Sequence, residues 1–303
     1  EQLEDVVEQL ISTGEATHSL KGGKLETGVS TLPDLFKDAT DRNRTSPFAF
    51  TGNRFEFRMV ASSNSIGDVN TVLNAMMAEQ FEKAVEVLEG AEDFDKAVEE
   101  YTAKLMREHS RIIFNGNGYS DEWPIEAEKR GLPNCKSIVD AIPALTSEST
   151  IEMYKNCKVL SERELQAREE ILFEQYAGVR NIEALTMVDI ANKMLIPTAV
   201  KYTGKLADTI LAVKEAGVEP TVQTELLAEV TDKLNEMKDA TKALAEITEK
   251  AANAGDVQAV ANAYKDDVMA AMAALRKPAD ELEVIMPKSM WPMPTYGDLL
   301  FEL

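Results

Sequence analysis

The sequence lacks long apolar runs, which excludes a membrane-spanning protein. No run approaches the roughly 20 residues that a transmembrane helix needs, and no signal-peptide pattern opens the chain. Glycine and proline are also sparse, with 15 and 11 residues in 303, while 44% of the residues are hydrophobic. This composition excludes a disordered tail. It predicts a globular chain of two domains with a cytoplasmic location.

Cysteine and positive charge are scarce as well. The two cysteines, Cys135 and Cys157, are too few for a disulfide scaffold, and we expect both to be reduced. With 32 basic and 53 acidic residues, the net charge of −21 repels nucleic-acid phosphates and anionic membrane surfaces. We therefore expect no nucleic-acid partner and no membrane partner. An anionic ligand would have to be small and held locally.

Apolar residues at helical spacing dominate the chain. They predict helices over residues 1–14, 69–88 and 93–109, from 161 towards Pro197, and over 222–254 and 257–275. Proline lacks an N–H group, so Pro197 should kink or end its helix. An alanine face on the last helix is expected to let two helices approach closely: Ala259, Ala263, Ala270, Ala273 and Ala274. The tail from 286 onward is expected to lie extended on a surface and to end in a short docking turn.

Strand signals are confined to one region. SPFAF and RFEFRMV alternate aromatic and polar residues and are joined by Thr51, Gly52 and Asn53, which predicts a hairpin. The predicted fold class is therefore α+β and predominantly α-helical, with a hairpin-plus-helix domain over 1–158 and a long-helix domain over 159–303.

Two glycine-containing motifs suggest phosphate or dinucleotide binding but favour simple turns. SLKGGK lacks the spacing of a P-loop, and GNGYS lacks both the full dinucleotide fingerprint and its acidic partner downstream.

The segment RNRTSPFAFTGNRFEFR places four arginines around Glu56 in a chain otherwise rich in acid: Arg42, Arg44, Arg54 and Arg58. On a strand, Arg54, Glu56 and Arg58 share one face, while Phe55 and Phe57 share the other and should anchor the strand in a core. Guanidinium groups bind phosphate or carboxylate at two points, and a carboxylate among them suits a divalent cation. The pattern predicts a metal–nucleotide or phosphoryl-transfer site. Cross-strand ion pairs on an exposed hairpin face are the alternative.

This segment, with MVASSNSIGDVNTVLNAMMAE after it, closely resembles the type III glutamine synthetases. GNGYSDEWPIEAEKRGLPN, NIEALTMVDIANKMLIPTAVKY and WPMPTYGDLLF also look like that subfamily, so the resemblance covers most of the chain. It implies ATP-dependent joining of ammonia to glutamate through a γ-glutamyl phosphate, in a large homo-oligomer of stacked rings. It also implies that 1–158 is the C-terminal part of the catalytic domain and that 159–303 is a helical C-terminal domain.

The resemblance further implies roles for individual residues. Glu56 matches the family carboxylate that binds Mg²⁺ or Mn²⁺ on the nucleotide side. Arg58 matches the arginine that contacts glutamate and the transferring phosphoryl group. Arg44 matches an arginine that steadies the ATP phosphates, and Arg54 one beside the nucleotide.

At two positions, the resemblance to the family does not assign a clear role. Arg42 fits a framing salt bridge with Asp41 as well as a ligand contact. Many shorter relatives have a further arginine where this chain has Ala49, so that nucleotide contact must come from elsewhere or be absent.

Much of the family site has no counterpart in this sequence. The other metal carboxylates, a metal-binding histidine, the ATP loop and a flap glutamate lie upstream of the motif, where only 41 residues are present here. His18 and His109 are the only histidines, and neither lies in a metal-ligand pattern. The chain also begins EQLEDVVEQL, without Met and within a helical pattern. We therefore expect a C-terminal portion of the enzyme that is inactive alone.

Two rival interpretations remain at this stage. The chain could be a non-catalytic helical regulatory or interaction protein that keeps a ligase-derived hairpin. It could also be another carboxylate–amine ligase of the same superfamily, although the matching segments are those of type III enzymes.

Overall fold

The computed structural model describes residues 2–19, 24–25, 35–36, 48–50, 55–57, 65–114 and 117–301. Most of these residues are helical, which confirms the predicted predominance of helix. The helices in chain order are α1 (Gln2–Ser12), α2 (Gly67–Leu88), α3 (Phe94–His109), α4 (Glu122–Lys129), α5 (Ile138–Ala141), α6 (Glu148–Asn156), α7 (Glu162–Ile190), α8 (Ile196–Glu215), α9 (Thr221–Ala252), α10 (Val257–Ala263), α11 (Met269–Ile285) and α12 (Tyr296–Phe301).

Short turns and strands complete the described structure. Two 3₁₀ turns cover Ser110–Ile112 and Ile142–Thr146, and two π turns cover Ala191–Leu195 and Tyr264–Val268. Four short strands, β1 (Lys24–Leu25), β2 (Leu35–Phe36), β3 (Phe48–Phe50) and β4 (Phe55–Phe57), form two antiparallel pairs, β1 with β2 and β3 with β4. None of the described helices is both long and apolar enough to cross a membrane.

The chain divides into two compact units that interleave along the sequence. The first comprises residues 1–136 and 149–161, and the second comprises 137–148 and 162–303. We name them the N-terminal unit and the helical unit. The predicted division into 1–158 and 159–303 stays a prediction, since compact packing alone does not define functional domains.

In the N-terminal unit, local capping explains where helices begin and end. Gly14 has a φ of 86° and follows the end of α1, as its position predicted. The Asp93 carboxylate accepts a hydrogen bond from the Lys96 N–H at 3.1 Å and caps α3. Helix α2 starts at Gly67, earlier than predicted, with Ile66 at the cap position. Asp68 lies inside the first turn.

The helical unit is built around α9, with α8 and α11 packed along it. The break between α8 and α9 occurs where predicted, at Gly217, which has a φ of 81°. Side chains from all these helices form one core, whose members include Leu195, Leu206, Val230, Met237, Leu244, Val268, Leu275 and Leu282. Burial of this apolar surface is the main term that stabilises the unit.

Ala270, Ala273 and Ala274 of the alanine face predicted on residues 257–275 are exposed. Ala263, Ala270 and Ala274 line an open groove of about 570 Å³ beside α9. The buried face of the same stretch carries Tyr264 and Val268, together with residues further along α11. These larger side chains bury more apolar area than alanines can, and the close approach of two helices at the alanines stays a prediction. Helix α11 also runs to Ile285, past the predicted end at 275, with Pro278 buried inside it.

Residues 137–148 belong to the helical unit although they precede α6 in sequence. Val139 and Ile142 pack with Phe173 of α7 and Ala261 of α10 in a small buried cluster. Two polar contacts reinforce this packing: the Lys265 ammonium donates to Asp140 at 2.6 Å, and the Thr146 hydroxyl donates to Glu169 at 3.0 Å.

The tail ends in a short helix where a docking turn was predicted, and it is anchored at its start. Met290, Trp291 and Met293 pack against the core of the helical unit. At the start of α12, the Thr295 N–H donates to the Asp298 carboxylate at 2.9 Å, and Lys288 also donates to that carboxylate. The last apolar residues, 299–301, are exposed.

Candidate functional site

The strand pair β3–β4 carries the residue predicted to bind metal. Its register places Phe48 opposite Phe57, Ala49 opposite Glu56 and Phe50 opposite Phe55. Glu56 therefore lies at the middle of a three-residue strand and faces the small Ala49 across the pair. The residues that would connect the two strands, 51–54, lie outside the described part of the chain.

The two phenylalanines of β4 were predicted to be buried, but both are exposed. Phe55 is 57% exposed and Phe57 is 42% exposed, whereas Glu56 between them is half-buried. The expectation that they anchor the strand in a core was wrong for this chain. A two-stranded ribbon of three residues per strand buries a face only where another element covers it. The alternation predicted from sequence is nevertheless present, because Glu56 differs in burial from both neighbours.

The other predicted site residues, Arg42, Arg44, Arg54 and Arg58, lie outside the described residues. Their roles toward phosphate, nucleotide and glutamate therefore stay predictions. What the structure gives for this site is a half-buried carboxylate on a paired strand. Such a group can supply an oxygen ligand to a hard divalent cation.

The described residues contain no group of three or more His, Cys, Asp or Glu side chains that could hold a metal ion. His18 lies on the surface, where its Nε2 is 3.8 Å from Asp5, and His109 is exposed at the end of α3. Cys135 and Cys157 form no disulfide, and Cys135 is exposed. One carboxylate from β4 would thus need further ligands to complete a magnesium site, since such sites demand near-octahedral coordination.

Charged groups of the helical unit form structural ion pairs. The Lys265 hydrogen bond lowers the pKa of the Asp140 carboxyl, and Asp140 in turn raises the pKa of Lys265. Lys288, followed by Thr295, lowers the pKa of Asp298 to about 2. Both pairs tie segments of the unit together.

Sequence reasoning missed an arginine–aromatic cluster in the N-terminal unit. Arg130 donates from Nε to Glu126 at 2.7 Å, and its guanidinium carbon lies 5.7 Å from the centre of the Trp123 ring. The Phe114 ring stacks on the Trp123 ring, with 3.8 Å between the two centroids. The i to i+4 spacing of Glu126 and Arg130 was the available signal.

Comparison with known proteins places the chain in context. Residues 97–214 match the family model of the glutamine synthetase C-terminal domain. Over 290 residues, the chain is 32% identical to the Type-3 glutamine synthetase of Dictyostelium discoideum, an alignment that covers 91% of this chain. The chain is a relative of the type III glutamine synthetases. The resemblance predicted from sequence is thereby confirmed.

Two further glutamine synthetases are similar over comparable lengths. The protein from Butyrivibrio fibrisolvens is 36% identical over 278 residues, or 88% of this chain, and that from Bacteroides fragilis (strain YCH46) is 32% identical over 287 residues, or 91% of this chain. The chain spans 39% of the length of each of these three relatives. The match to the glutamine synthetase C-terminal domain crosses residue 158, where a domain boundary was predicted.

Proposed function

We propose that this chain supplies part of the active site of an ATP-dependent glutamine synthetase, which joins ammonia to glutamate through a γ-glutamyl phosphate. The observation that carries the proposal is the similarity, over 91% of the chain, to a protein named Type-3 glutamine synthetase. Glutamate, ammonia and ATP are then the substrates, and Mg²⁺ or Mn²⁺ is the metal. A cytoplasmic location remains part of the proposal.

Within this proposal, the residues around β4 stabilise the negative charge of the reactants. Glu56 is one oxygen ligand of the metal, and its half-buried position on a paired strand fits that role. The bound metal would neutralise charge on the ATP phosphates. Arg58 contacts glutamate and the transferring phosphoryl group, Arg44 holds the phosphates, and Arg54 lies beside the nucleotide. Fixed cations are required because charge develops between two anionic reactants.

A substitution at Glu56 tests the metal role, in the protein at its natural length. That length should first be established by intact mass, compared with 33.4 kDa for this chain. Glu56→Gln keeps the shape of the side chain but removes its charge, so activity should fall and the metal concentration needed for half-maximal activity should rise. Glu86→Gln, on the exposed surface of α2, is the matched control. Unchanged metal dependence in Glu56→Gln would remove Glu56 from the metal site.

The 303-residue chain alone should show no ligase or γ-glutamyl transfer activity. One carboxylate does not complete a metal site, and the chain is far shorter than its enzymatic relatives. Robust γ-glutamyl transfer by the purified chain would contradict this expectation. A natural mass near 33.4 kDa, with no activity, would favour the rival function of a non-catalytic regulatory or interaction protein.

We also propose that the protein forms a homo-oligomer, as the family resemblance implies. Support comes from α7, which exposes Ile171, Ile182 and Leu185 at spacings of eleven and three residues, on one side of the helix. Apolar stripes of this kind commonly mark interfaces. In light scattering, Ile182→Asp should lower the oligomer mass. Val284→Asp, at an exposed apolar position of α11, should leave that mass unchanged.

A further inference from the structure

The N-terminal unit contains an open surface cavity of about 560 Å³ between α1 and the turn that follows α3. This volume lies within the range of small-molecule pockets. One wall is a single face of α1, and the other is formed by residues 110–114 with Arg130. None of the residues predicted for the phosphate site is among the described residues that line it.

The cavity has an apolar floor and charged walls of opposite sign. Val7 and Ile11 of α1 meet Ile113 and Phe114 at the floor, and all four side chains are partly buried. On α1, Glu4 and Glu8 stand one helical turn apart on the same face as these apolar residues. The facing wall carries two guanidinium groups.

The wall formed by Arg130 is held in place by several contacts. Its Nε donates to Glu126 at 2.7 Å, and its Nη1 donates to the Ile113 carbonyl at 2.8 Å. The ring of Trp123 lies under the guanidinium and stacks on Phe114. Arg130 is therefore neutralised by Glu126 and fixed in position, so the cavity keeps its shape without a ligand.

Arg111 differs from Arg130 because its charge is not compensated within the described structure. Its guanidinium lies beside Gly131, where an added Cβ would be 3.7 Å from Nη1, and it forms no ion pair with any described residue. Glu8, on the opposite wall, likewise has no ion-pair partner in the described part of the chain. In a protein of net charge −21, an arginine without an acidic partner at a cavity favours a bound carboxylate.

We propose that this cavity binds a small zwitterion with an apolar body, namely an α-amino acid with an aliphatic side chain. The carboxylate pairs with Arg111, the ammonium group faces Glu8, and the side chain covers Val7, Ile11 and Phe114. An additional carboxylate on the ligand would meet the acidic α1 wall, so L-glutamate is excluded from the site. The proposal goes beyond the ligase function, because it assigns a second ligand class to residues outside the predicted phosphate site.

Binding of L-leucine to the purified chain, measured by calorimetry, tests the proposal. We expect an affinity in the millimolar range or tighter. N-acetyl-L-leucine lacks the ammonium charge and L-leucinamide lacks the carboxylate, so each should bind about tenfold more weakly, as expected for loss of one charged hydrogen bond. L-glutamate should not compete. Because these binding measurements need no enzymatic activity, their outcome does not depend on whether the ligase proposal is correct.

Protein variants complete the test. Arg111→Gln and Glu8→Gln should each weaken leucine binding by about tenfold, and Arg111→Lys should restore part of the loss because it keeps the charge. Lys96→Gln, which removes an exposed charge of α3 that does not line the cavity, is the matched control. All variants should keep the wild-type circular dichroism spectrum, since the changed side chains are on the surface. Absence of leucine binding to the wild type, or equal binding by all variants and analogues, would overturn the proposal.

Discussion

Phe173 should be a critical residue for the helical unit, because it joins residues 137–148 to α7 and α10. Its side chain is 2% exposed and packs with Val139, Ile142 and Ala261. Phe173→Ala removes a buried ring and leaves a cavity, a change that typically costs about 3–5 kcal/mol. With a urea m-value of about 2 kcal/mol/M, the unfolding midpoint of the unit should fall by about 2 M.

Urea unfolding followed by far-ultraviolet circular dichroism measures this change, and Leu211→Ala is the matched control. Leu211 lies in the same unit, on α8, but is 61% exposed, so its loss should change the free energy of unfolding by about 0.5 kcal/mol or less. Amide exchange should also accelerate in residues 137–148 of Phe173→Ala. A loss below about 1 kcal/mol, or unchanged exchange in that segment, would refute the packing argument.

The remaining predictions concern the ion pairs of the helical unit. Asp298→Asn removes the charged acceptor at the start of α12, so amide exchange in this helix should accelerate. Because the pKa of Asp298 falls from 3.8 to about 2 on folding, its contribution is present above pH 3.8 and is lost as the pH falls towards 2. In wild type, the protection factors of the α12 amides, which correct for the intrinsic pH dependence of exchange, should therefore fall across that acidic range, and in Asp298→Asn they should stay constant there. Lys265→Met removes the partner that lowers the pKa of Asp140. The stabilisation from this pair is present above the unfolded pKa of Asp140 and fades as the pH falls through the lower folded value. The urea midpoint of wild type should therefore drop more on acidification than that of Lys265→Met, and equal drops would show that the pair contributes nothing.

Helices of this fold could be predicted from sequence where the signal is local. The long helix α9 follows from apolar residues at three- and four-residue steps, and its start follows from the break at Gly217. Helix α3 begins directly after Asp93, a residue whose side chain caps the chain at that point. In each case the residues that decide the structure lie within the element or next to it.

Placement of residues 137–148 could not be predicted in this way. Whether this segment packs with its sequence neighbours or with α7 and α10 depends on which apolar surfaces meet in the folded chain. Val139 and Ile142 are apolar in either arrangement, and the partners that bury them, Phe173 and Ala261, are distant in sequence. Hydrophobic periodicity shows which face of a helix or strand is apolar, but it does not show which other element covers that face.

The candidate site shows the same limit for the strand β4. Alternation along FEF correctly separated Glu56 from its aromatic neighbours, since strand geometry fixes which side chains share a face. It did not determine which face would be covered, and the two phenylalanines are exposed in this chain. If the ligase proposal holds, these two rings are a surface that the rest of the enzyme should cover, and their exposure should fall in the protein at its natural length.

Pro197 was expected to kink or end its helix, and the structure shows that it does not end it. Helical structure continues from Glu162 to Glu215, and the π turn Ala191–Leu195 directly precedes the proline. There the Ile196 N–H donates to the Ala191 carbonyl, five residues earlier. The carbonyl that a proline ring would strike in a regular helix belongs to Lys193, which lies inside this wider turn.

The same π turn keeps the buried face of the helix in line. Ala191, Leu195 and Ala199 are buried at two consecutive four-residue steps, which in a regular helix would rotate the face by about 80°. A turn with more residues per revolution offsets that rotation, so Tyr202 and Leu206 remain in the core shared with α9. The spacing of the buried residues thus requires a wider turn at Ala191–Leu195, and the presence of Pro197 requires the same wider turn.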